Sequence, residues 1–100
     1  MAAINWQTVR GKEFTPDEAR EASDFEEVLA NYSLDPEDAY NLFSKKPLSA
    51  AKRLVFAEKT PVEQVTDLLL REPDERIRAV IEERLREQRE EETGGIIIAT

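Results

Sequence analysis

Three stretches of this chain prepare a helix in the same way. Thr15-Pro16-Asp17-Glu18, Asp35-Pro36-Glu37-Asp38 and Thr60-Pro61-Val62-Glu63 each place a capping side chain before a proline and a carboxylate three residues after the cap. The cap oxygen accepts an orphan backbone N–H, proline at the first helical position loses no bond, and the acid complements the positive helix end. Pro47 and Pro73 each follow a short helical stretch, which they end by disfavouring the α conformation at the preceding residue before the next helix opens. The chain is thereby confined to short helices.

Apolar spacing supports helices between these marks. Phe25, Val28, Leu29 and Tyr32 fall at i, i+3, i+4 and i+7; Ala51, Leu54 and Val55 at i, i+3 and i+4; Val62, Val65 and Leu69 at i, i+3 and i+7. Ile77, Val80, Ile81 and Leu85 form the clearest stripe, with Glu82, Arg86 and Glu90 able to pair along the exposed side. Beyond Leu85 the stripe disappears, which predicts a projecting, fraying helix end over 86–92.

The pattern repeats. Shifting the chain by 25 residues brings Pro36 onto Pro61, Arg53-Leu54-Val55 onto Arg78-Ala79-Val80, and Glu58 onto Glu83. Short helices of this kind stack, so that neighbours together bury a stripe that none could bury alone. The expected fold is therefore all-α, a helical-repeat stack of about three such units over 15–92, with an irregular arm over 1–14 and a tail over 93–100. With 100 residues the chain makes one domain that holds a modest core and hardly a deep substrate cavity as well.

The words "NYSLDPEDAYNLF", "PLSAAKRLVFAEKTPVEQVTDLL" and "REPDERIRAVIEERL" resemble the bacterial leucine-rich repeat variant, a HEAT-like helical-repeat family, over about residues 25–85. The resemblance rests on a proline, an arginine shortly before a valine, then Thr-Pro-x-Glu and a leucine pair. HEAT repeats share the phrase that Glu72-Pro73-Asp74 to Arg78 spells. It implies α-helices alternating with short 3₁₀ helices in a right-handed α-solenoid, and binding rather than catalysis. Some members carry a cysteine-rich iron–sulfur segment, for which this chain, with no cysteine, has no ligands.

Charge is unevenly placed within a net −8. Between Glu13 and Asp38, ten carboxylates face Arg20 alone, a segment that repels nucleic acid. Between Lys45 and Lys59 the sign reverses, with Lys45, Lys46, Lys52, Arg53 and Lys59 opposed by Glu58 alone. These read first as two solvated faces and second as a basic patch for an acidic partner; no aromatic or glycine pattern of a nucleic-acid module is interleaved. The absence of cysteine and histidine removes disulfides, thiolate ligands and the commonest general base. No run reaches the roughly 18 apolar residues a membrane span needs, and Met1 to Arg10 lacks the features of a secretory signal. A cytoplasmic protein without cofactor or metal is expected.

Two segments fall outside the repeats. In the arm, Ile4, Trp6 and Val9 are the large apolar residues and Gly11 interrupts any regular element. Trp6 is either an anchor folding the arm over the stack, the preferred reading, or a contact for another protein. In the tail, Gly94 and Gly95 are expected to stop the last helix, leaving Ile96, Ile97 and Ile98 to fray, to cover the core, or to add to a partner's sheet edge.

Catalysis finds no footing. Neighbouring acids such as Glu26-Glu27 and Glu82-Glu83 diverge on solvated helices, so nothing shifts their pKa values as acid–base work requires. No phosphate-cradling loop or nucleophile elbow is present. The expected role is a non-enzymatic adaptor or accessory subunit that binds a protein through its repeat face, with Lys45, Lys46, Lys52, Arg53, Arg76 and Arg78 as polar contacts and Trp6 and Ile96 to Ile98 as apolar ones. The alternative is an acidic inhibitor or antitoxin-like protein whose carboxylates fill a basic, nucleic-acid-binding cleft. Arg78 also has a purely internal reading, bonding neighbouring carbonyls.

Overall fold

The computed structural model describes residues 4–99, with side chains to Arg89. A hairpin, β1 (Thr8–Val9) and β2 (Lys12–Glu13), precedes five helices: α1 (Pro16–Asn31), α2 (Pro36–Phe43), α3 (Ala50–Lys59), α4 (Val62–Arg71) and α5 (Glu75–Ala99). The all-α expectation therefore holds for the body of the chain.

Two of the proline-marked starts form as their residues dictate. At α1, Glu18 N–H donates to Thr15 Oγ1 at 3.1 Å and Thr15 N–H donates to Glu18 Oε1 at 2.9 Å, a reciprocal cap behind Pro16. At α2, Glu37 N–H donates to Asp35 Oδ1. The third differs. Thr60 terminates α3, its N–H donating to the Phe56 carbonyl, and α4 starts at Val62 with no side-chain cap. Pro47 and Pro73 stand before the caps rather than at the first helical turn. Ser49 Oγ accepts from Lys52 N–H, and Asp74 Oδ1 accepts from Arg76 N–H.

The arm is more regular than its composition suggested. Val9 pairs with Lys12 and Thr8 with Glu13 across a two-residue turn in which Arg10 and Gly11 take φ values of 50° and 81°. Two consecutive left-handed residues match the twist of a hairpin, so Gly11 closes the element it was expected to interrupt. Gly94 and Gly95 likewise fail to stop α5, which continues to Ala99. A helix already nucleated by a packed stripe propagates through glycine at about 1 kcal/mol per residue. The 3₁₀ helices that the resemblance implied do not occur among the described residues, where every helix is α.

Helix α3 is the centre. It packs on α1 and α5, α2 lies against it, α4 packs on α5, and β2 covers part of α5. Leu54, Val55, Phe56 and Ala57 are buried in succession, so this turn of α3 is enclosed all round rather than along one stripe. Val65 from α4 and Ile77, Val80 and Ile81 from α5 join this core. Trp6, Val9 and Phe14 bring the arm onto it. On α1 the inward positions are Ala22, Phe25 and Leu29, which turns Val28 outward, and Tyr32 is exposed because α1 ends at Asn31, both against the stripe expected from spacing.

Arginines stitch these elements together. Ala57, near the end of α3, would accept from the N–H of residue 61 in a continuing helix, but Pro61 has none. Arg84 supplies the donor, its Nη1 reaching the Ala57 carbonyl at 2.7 Å and the Thr60 carbonyl at 2.6 Å. Burial lowers the Arg84 pKa below the ordinary arginine value, with Glu58 opposing.

Candidate interaction surface

Two of the arginines expected to face a partner already have partners within the chain. Arg53 Nε donates to both oxygens of Glu72 at 3.1 Å, and its Nη1 donates to the Leu48 carbonyl at 2.6 Å. Arg76 grips Glu18 through Nη1 and Nη2, each at 2.9 Å, reaches Asp74 at 2.8 Å, and lies 4.5 Å from the centroid of the Phe14 ring. Glu18 and then Asp74 raise the Arg76 pKa, while Arg76 lowers that of Asp74 and holds Glu18 down at about 2. A guanidinium forked onto carboxylates has few donors left for another molecule. Both side chains act inside the fold, where free polar contacts were expected.

The remaining sequence-expected contacts are dispersed. Lys45 and Lys46 are exposed on the α2–α3 loop and Arg78 on α5. The arginines that bond carbonyls are Arg53, Arg76 and Arg84 rather than Arg78. Trp6 is 4% exposed, and its Nε1 donates to Glu26 Oε1 at 3.1 Å, which is the position of an anchor. Ile96, Ile97 and Ile98 lie within α5, with side chains outside the described residues.

A different surface emerges from the packing of α1. Phe25 meets Phe43 and Phe56 edge-on, with ring centroids 5.4 Å apart in each case, so one aromatic cluster joins α1, α2 and α3. The cluster reaches the surface in an open groove of about 430 Å³ lined by Glu21, Asp24, Phe25, Val28, Phe43 and Lys52. Val28 is 37% exposed, and Tyr32, just after α1, and Leu42 on α2 are 73% and 55% exposed. Ser49 Oγ donates to Glu21 Oε2 at 2.6 Å, fixing that carboxylate at the rim. Lys52 Nζ lies 5.5 Å over the Phe25 ring, holding a cation beside the apolar floor.

Other depressions are less suited to recognition. One of about 480 Å³, lined by Glu26, Glu27, Leu29 and Lys59 among others, holds an ion pair, Lys59 Nζ lying 2.7 Å from Glu26 Oε2. Between α2 and α4 a polar groove of about 310 Å³ is crossed by the Gln64–Glu37 hydrogen bond. Among the described residues no cluster of acids could hold a metal ion, and no helix is long and apolar enough to cross a membrane. Comparison of the chain with protein-family models, with curated proteins and with solved structures finds no match.

Sequence reasoning missed this groove because it assigned Val28 and Tyr32 to the core. Ala22 was the available signal. With Phe25 and Leu29 it completes an i, i+3, i+7 stripe that leaves Val28 to one side, while Tyr32, at i+10, would continue the stripe had α1 not ended at Asn31.

Proposed function

We propose that this chain is a non-enzymatic docking module, a small helical-repeat adaptor that binds a partner protein on the face formed by α1 and α2. The observation that carries the reading is the open groove floored by Phe25, Val28 and Phe43, with Val28 left 37% exposed and Tyr32 at the end of α1 and Leu42 on α2 also exposed. Exposed apolar side chains around a concave, charge-rimmed surface are what a protein interface requires. The repeat reading of the architecture is supported by register: α3 begins at Ala50 and α5 at Glu75, the interval that separates Pro36 from Pro61. In a right-handed stack of about three units, α1, α3 and α5 form one row and α2 and α4 the other.

The test is capture of a partner by the wild-type chain, by Val28→Asp/Leu42→Asp, and by Leu70→Ser, which removes an 80% exposed leucine on α4, away from the groove. The wild type and Leu70→Ser retain the partner and the double variant loses it while keeping its helical circular dichroism. Equal capture by all three removes the α1–α2 face from consideration.

A second reading, the acidic inhibitor of a basic cleft, draws on Asp17, Asp24, Glu27 and Asp38, all exposed along α1 and α2. Ionic strength separates the two. Binding by carboxylate mimicry collapses between low and moderate salt, whereas binding through the groove changes little.

A further inference from the structure

We propose that the α1–α2 groove takes an amphipathic helix of the partner protein, with an aliphatic stripe flanked by basic residues on one side and acidic residues on the other. The inference rests on the docking reading above and gives the partner its chemistry.

The floor decides the secondary structure of the occupant. Phe25, Val28 and Phe43 offer side-chain carbon and no free strand edge, so an extended segment laid on them gains no backbone pairing from the groove. A helix satisfies its backbone groups internally and presents only its stripe. Helix α1 provides the length, its 16 residues spanning about 24 Å, enough for several turns of a helix laid alongside.

The rim decides the charges. From α1 the groove is lined by Glu21 and Asp24, with Asp17 further along the helix; from α3 it is lined by Lys52, and the α2–α3 loop carries Lys45 and Lys46, both exposed. A basic flank therefore belongs against α1 and an acidic flank against the lysines. Turning a helix end for end exchanges its flanks, so this asymmetry fixes the direction in which the partner lies. A second copy of this chain fits poorly, because it brings a net charge of −8 against −8.

Three synthetic helical peptides with one leucine stripe test the assignment: lysine and glutamate flanks, lysine on both flanks, and glutamate on both. Affinities are measured by fluorescence anisotropy at about 0.15 M salt, where the long-range field of the net charge is screened. The mixed peptide binds best, about tenfold tighter than the all-glutamate peptide and severalfold tighter than the all-lysine one, as a few rim pairs of tenths to one kcal/mol imply. Val28→Asp weakens it at least tenfold, and Lys45→Glu/Lys46→Glu/Lys52→Glu moves the preference to the all-lysine peptide. All-lysine binding as tight as mixed binding to the wild type overturns the proposal, as does an unchanged affinity in Val28→Asp. Failure of all three peptides, or a Val28-dependent homodimer in sedimentation, overturns the helix assignment. If partner capture still depends on Val28 and Leu42, that failure leaves the docking reading intact; capture independent of both ends the two together.

Discussion

Arg10 Nε donates to Glu58 Oε2 at 2.7 Å from a backbone held in the left-handed region, φ 50°. The same guanidinium reaches Glu87 Oε1 at 2.7 Å through Nη1, so the hairpin turn is tied to α3 and α5 at once. Hydrogen bonding to Glu58 raises the Arg10 pKa above the ordinary arginine value, with burial opposing and Glu87 adding to it. Left-handed backbone costs a non-glycine residue about 1–2 kcal/mol, and asparagine tolerates it better. Arg10→Met removes the ion pairs and keeps the strain; Arg10→Asn removes both. We expect urea denaturation to show Arg10→Met destabilised by about 1–2 kcal/mol and Arg10→Asn by about half that. Wild-type stability in both variants means that the clamp contributes nothing.

Arg84 stands in for the donor that Pro61 lacks, so its removal leaves the Ala57 and Thr60 carbonyls without this partner. Arg84→Met keeps the stem and loses the bonds, and it lowers stability by about 2 kcal/mol. Arg84→Lys restores part of the loss, since a single ammonium cannot match the guanidinium fork. A Met variant as stable as the wild type disproves the replacement.

Thr60 gives opposite expectations from sequence and from structure. As a cap for α4, its replacement costs about 1 kcal/mol. In the fold Thr60 is buried, and its Oγ1 makes no hydrogen bond. Its backbone, at φ −63° and ψ 139°, lies in the extended region that valine favours. Thr60→Val therefore raises the melting temperature, by an amount corresponding to about 1 kcal/mol, because it removes an unpaired buried hydroxyl at constant shape. A fall of similar size restores the capping role.

Thr60 also shows where the sequence stops being informative. The caps at Thr15 and Asp35 were legible because donor and acceptor lie within three residues of one another. Val55, Val65 and Val80, each placed by spacing on the apolar stripe of its own helix, are all fully buried. At Thr60 two helices compete for one residue, and the claim of α3, reinforced by Arg84 from 24 residues away, prevails. Arg53 and Arg76 read as surface cations because Glu72 and Glu18 lie 19 and 58 residues distant, and the local Asp74 alone does not announce the fork that Arg76 makes onto Glu18. The groove was hidden for a related reason. Which side of α1 faces inward is decided by its packing on α3, which buries Ala22, Phe25 and Leu29.

Glu18 has two functions that a single substitution can separate. It closes the cap on Thr15 and receives the Arg76 fork, and Gln in its place keeps the first while removing the ion pair. Arg76 holds the Glu18 carboxyl at about 2 against a usual 4.5. A depressed carboxyl contributes stability that is fully present above its unfolded pKa and is lost as the pH falls through its folded one. The wild type should therefore exceed Glu18→Gln by about 1 kcal/mol at neutral pH, a partly screened charge pair. The advantage should begin to shrink below about pH 4.5 and be largely gone near pH 2. Denaturation of both proteins across that range checks the sign as well as the size. A constant difference would assign the stabilisation to packing of the side chain, and a difference that grows in acid would contradict the ion pair itself.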